Sequence, residues 1–73
     1  MKAVGQAYIE YKEACKKLDD EMNEYVSITW AASGLPVLMP KNELSLGARK
    51  DLFRLAKAVE RKLEILMLEL SRS

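Results

Sequence analysis

The chain has 73 residues, with twelve Lys and Arg against eleven Asp and Glu for a net charge of +1, one cysteine and no histidine. A chain this short buries little core and normally needs disulfides, a metal or association to hold it. Cys15 alone forms no intrachain disulfide and, without histidine, no structural zinc site, and the even charge balance excludes a bulk pull toward nucleic acid or membrane.

Residues 1–73 read as a single domain. The opening Met-Lys-Ala-Val-Gly-Gln meets charged residues within ten positions, so no secretory leader is expected. Leu63 to Leu70 is the most apolar run, but Glu64 and Glu69 interrupt it. It is also far shorter than the ~20 residues that span a bilayer. The expectation is a cytoplasmic protein with Cys15 reduced in the core and no membrane contact.

Val4, Tyr8, Tyr11, Cys15, Leu18, Met22, Tyr25, Thr29 and Ala32 are spaced alternately four and three apart. That seam keeps one helix face against a partner, and it predicts a first helix over about 2–33. Gly34 then stands where a helix-ending glycine belongs, with Pro36 just past it. The segment 34–44 reads as a loop, because Pro36 and Pro40 forbid a continuous helix. Leu35, Val37, Leu38 and Met39 make it too apolar for a solvated linker, so it must fold back over the helices or press on a partner.

The second half repeats the seam at Leu52, Ala56, Val59, Leu63, Leu66 and Leu70. Asn42 or Ser45 is placed to cap its start, and the prediction is a second helix over about 45–72. The expected fold is therefore all-α: an antiparallel, coiled-coil-like two-helix hairpin. Ala7, Ala14, Val26 and Ile28 widen the first stripe, and Phe53, Leu55 and Met67 widen the second. Stripes that wide imply more than one neighbour, which predicts a homodimer completing a four-helix bundle.

Some apolar side chains lie off both seams. Ile9, Ile65 and Leu68 fall at the end near the termini, and Trp30 at the other end beside the apolar loop. These four are the candidate patch for a protein partner. Lys50, Arg54, Lys57 and Arg61 form a basic stripe opposite the second seam. Such a stripe suits phosphates, though Asp51, Glu60 and Glu64 are interspersed and no aromatic is interleaved for base stacking.

Asp19, Asp20, Glu21 and Glu24 are the densest acidic cluster. Their spacing resembles the acidic helix of all-α nucleotide pyrophosphohydrolases, and that resemblance implies carboxylates holding magnesium. It is confined to this short stretch, and the second helix carries no matching acidic motif. Gly5, Gly34 and Gly47 are scattered rather than gathered in a phosphate loop, and the serines have no base nearby in sequence. No catalytic residue, cofactor or metal site is assigned. The leading expectation is a non-enzymatic, homodimeric regulatory protein that binds another protein. A nucleic-acid-binding dimer is second, and a metal-dependent nucleotide hydrolase third.

Overall fold

A computed structural model describes residues 3–72. Its elements run α1 (Val4–Met22), β1 (Val26–Trp30), β2 (Pro36–Pro40) and α2 (Leu46–Arg72). The all-α expectation is thus corrected: between the two helices stands a two-stranded antiparallel sheet. The first helix ends at Met22 rather than near residue 33, and the expected loop 34–44 contains a strand.

The reason is local. Val26-Ser27-Ile28-Thr29-Trp30 is β-branched or aromatic at four of five positions, and such side chains fit a pleated surface better than a helix. The segment pairs with Pro36–Pro40 in the register Val26 to Pro40 through Trp30 to Pro36. Tyr25, Thr29 and Ala32, which continue the helical spacing, belong instead to the turn after α1, to β1 and to the hairpin loop.

Gly34 does not end a helix. It closes the strand hairpin, where Ala31 N–H donates to Leu35 O at 2.9 Å and Gly34 N–H to Ala31 O at 2.9 Å. Its φ is +94°, the left-handed conformation that short hairpin loops ask of glycine. The Tyr11 hydroxyl donates to the Gly34 carbonyl. A Cβ there would stand 2.8 Å from that hydroxyl and 3.3 Å from a Leu63 methyl carbon. The tip of the strand hairpin is therefore seated between α1 and α2.

The helices are antiparallel and are tied across their length by Lys62 to Glu10 at 2.9 Å and Arg54 to Glu21 at 3.9 Å. α2 begins where Ser45 Oγ accepts the Ala48 N–H at 3.1 Å, so Ser45 rather than Asn42 is the cap. The core gathers Cys15, Leu18 and Met22 of α1, Val26 of β1, and Leu55 and Val59 of α2. Tyr11, Ile28, Leu38 and Leu52 pack around them. The strand hairpin thus occupies part of the face on which two bare helix pairs were expected to meet, which removes the four-helix bundle as drawn from the sequence.

The strand hairpin covers only part of the helix pair. From Met22 back to Tyr11 α1 travels about 17 Å at ~1.5 Å per residue. A five-residue strand extends about the same distance. Beyond Tyr11 on α1 and Leu63 on α2, the two helices continue without it.

Candidate interaction surfaces

At the uncovered end, large apolar side chains of both helices are exposed. Tyr8 is 51% exposed, Met67 57% and Leu70 48%. Leu35, Leu63, Met67 and Leu68 line an open groove of about 640 Å³ there, rimmed by Glu60 and Glu64. Deeper at this end, Ala7 and Leu66 are buried between the helices.

The seam residues divide between core and surface. Cys15, Leu18, Met22, Val59 and Leu66 are buried, and Tyr11, Leu52, Ala56 and Leu63 are half-buried. Tyr8, Tyr25 and Leu70 are exposed. Leu55 and Ala7, read as flanks, are almost wholly buried: Leu55 belongs to the core shared with the strand hairpin, and Ala7 is covered by the facing helix.

The candidate patch is not one surface. Leu68 lines the apolar groove, whereas Ile9 and Ile65 do not. Trp30 does not sit at the far end of the molecule. β1 doubles back along α1 and carries it to a second groove of about 500 Å³, whose α1 wall is Tyr11, Lys12, Cys15, Lys16 and Asp19. No feature of the sequence marks this groove, because it exists only once residues 26–30 reverse direction.

The Tyr11 phenol, which lines the second groove, is pushed up to about 12. Burial is the main cause, followed by the adjacent Cys15 thiol. The proton therefore stays on the oxygen that holds the Gly34 carbonyl.

Lys50, Arg54, Lys57 and Arg61 are all exposed. Arg54, Lys57 and Arg61 share a shallow groove with Phe53, Ala58 and Lys62. Part of this charge is matched: Arg54 lies 3.6 Å from Asp51, Lys57 3.6 Å from Glu60, and Lys57 Nζ stands 5.7 Å from the centre of the Phe53 ring.

The acidic cluster is similarly engaged. Lys16 donates to Asp20 at 2.7 Å, and Glu21 faces Arg54. Among the described residues no three carboxylate, thiol or imidazole groups stand close enough to hold a metal. No described helix is long and apolar enough to cross a membrane.

Fold and surfaces together define a small domain in which a strand hairpin rests on part of an antiparallel helix pair, with open grooves beside it. Set against known protein families, curated proteins and solved structures, the chain matches none.

Proposed function

We propose that this chain is a small non-enzymatic interaction protein that pairs with a second copy of itself and binds another protein. The observation that carries the reading is the bare end of the helix pair. Met67 lies exposed in the groove of Leu35, Leu63 and Leu68, and Tyr8 and Leu70 are exposed at the same end of the helix pair. An exposed apolar groove of this kind marks an association site. A chain with so small a core gains stability when a second copy covers that face. Cys15, free and buried, fits a reducing compartment, and the proposed location is the cytoplasm.

Sedimentation at micromolar concentration tests it, with Met67→Asp as the perturbation. The unmodified protein should run at twice the monomer mass. The variant should run as a monomer with its circular dichroism unchanged, because Met67 is exposed in the single chain. A folded monomer for the unmodified protein would remove the self-association reading.

A second reading, nucleic-acid binding, is supported by the four exposed cations of α2 on one side of the helix. Their partial pairing with Asp51, Glu21 and Glu60 weighs against it. A salt-sensitive gel shift that Arg54→Glu abolishes would promote this reading over the first.

A further inference from the structure

We infer that the free edge of β1 is a strand-addition site, which takes an extended peptide of another protein as a third strand in the groove between β1 and α1. The inference rests on the reading of this chain as a protein-binding module, and it adds the surface and the chemistry of the partner.

The ladder shows which backbone groups are unused. Ala31 N–H bonds to Leu35 O at 2.9 Å at one end, and Lys41 N–H bonds to Tyr25 O at 3.0 Å at the other. Bonded pairs in an antiparallel ladder recur at every second residue. Ser27 and Thr29 therefore bond to Met39 and Val37, their partners in the register. Val26, Ile28 and Trp30 turn their N–H and C=O groups away from β2. Val26 is buried, so the open part of that row is Ile28 and Trp30, whose two donors and two acceptors at alternate positions are the pattern an added strand requires.

The other edge is closed by its own residues. The same alternation turns residues 36, 38 and 40 of β2 outward. Pro36 and Pro40 have no N–H, so Leu38 alone offers an outward donor. One edge is guarded in the manner of natural sheet edges and the other is left open.

The groove's shape selects the occupant. Packed helices lie 8–10 Å apart and paired strands about 4.8 Å apart. α1 therefore extends beyond β1 and forms the far wall with Tyr11, Lys12, Cys15, Lys16 and Asp19. A single slim strand fits beside β1 under that wall. Pairing of β1 with β1 of a second copy would drive two α1 helices into the same space.

The partner's chemistry follows from the walls. Its side chains alternate, and those on the helix side meet Tyr11, Cys15 and Trp30, so they should be apolar. Asp20 holds Lys16, whereas no ion pair forms on Lys12 among the described residues. A carboxylate in the segment near Trp30 would pair with Lys12. The occupant is an extended stretch of alternating apolar residues with an acidic residue at one end.

Trp30 is the only tryptophan and lines the groove, so its emission reports binding. The probe is a capped seven-residue peptide of valine alternating with threonine and ending in aspartate. Expected are a saturable emission shift and slowed amide exchange at Ile28 and Trp30, with Leu38 unchanged. N-methylating the peptide amides that face β1 should abolish binding, and N-methylating the alternate set should not. Lys12→Glu should weaken it about threefold to fivefold, as loss of one exposed ion pair does.

The inference is overturned by any of three results: no saturable shift at millimolar peptide, equal binding by the two methylated peptides, or protection at Leu38 instead. Met67→Asp, run in parallel, should leave peptide affinity unchanged. If it removes binding, the peptide sits on the helix face and the edge site is lost. Unmodified protein that sediments as a monomer and still captures the peptide would end the self-association reading and keep this one.

Discussion

Replacing Gly34 by alanine tests the departure from a helical hairpin most directly. Two independent costs arise. A side chain at φ +94° is strained, which costs about 1–2 kcal/mol. The added Cβ would stand 2.8 Å from the Tyr11 hydroxyl, so that hydroxyl must move and its bond to the Gly34 carbonyl is lost. A hydrogen bond of this kind contributes about 0.5–1.5 kcal/mol. The Leu63 methyl at 3.3 Å can give a few tenths of an ångström and adds little. The sum is about 1.5–3.5 kcal/mol, a large share of the ~5–10 kcal/mol expected for a domain of this size. Urea unfolding followed by Trp30 emission measures it, and the midpoint should fall with little change in slope. Tyr11→Phe separates the two costs. In that background no hydroxyl opposes the Cβ, so Gly34→Ala should show the conformational cost alone, and the cycle should be non-additive by about the hydrogen bond. Were residues 26–33 helical, with Gly34 a solvent-facing helix end away from Tyr11, the cycle would be additive. Additivity within ~0.3 kcal/mol would refute the docked strand hairpin.

Two further outcomes are expected. Leu18, fully buried at the centre of the core, should cost about 2–5 kcal/mol on truncation to alanine, whereas Asp20→Ala should change stability by less than ~0.5 kcal/mol, because its pair with Lys16 is solvent-exposed; the reverse order in urea unfolding would mean that α1 presents a different face. Because the Tyr11 phenol is raised from 10.0 to about 12 in the folded chain, its contribution to stability is complete below pH 10 and is lost as pH climbs through 10 to 12; alkaline absorbance titration should show a tyrosinate step near 12 that disappears in Tyr11→Phe, and its persistence in that variant would refute the assignment.

The candidate surfaces were only partly legible beforehand. The basic stripe of α2 and the exposed Leu68 follow from helical spacing, because every fourth and third residue of one helix shares a face whatever packs against the other side. Trp30 was legible as an apolar residue off the seam, but its neighbours were not. They lie on α1, between eleven and nineteen positions earlier, and meet it only after the chain reverses.

By itself the sequence determines the two helices over most of their length. From Leu46 to Arg72, and from Val4 to Met22, apolar spacing and good helix formers point the same way, and Ser45 supplies a capping oxygen at the start of α2. Residues 23–44 were open to two readings. Tyr25, Thr29 and Ala32 continue a helical seam, while Val26, Ile28 and Trp30 alternate as a strand does. Local preference separates such readings by about a kilocalorie per mole at most. What decided between them was a partner six to fourteen residues away. Pro36–Pro40 cannot extend a helix, yet it can close a ladder with Val26–Trp30, and the hairpin they form buries Val26 in the core with both helices and packs Ile28 and Leu38, half-buried, against it. That burial and that pairing belong to the folded chain alone, which is why only the tertiary structure could choose.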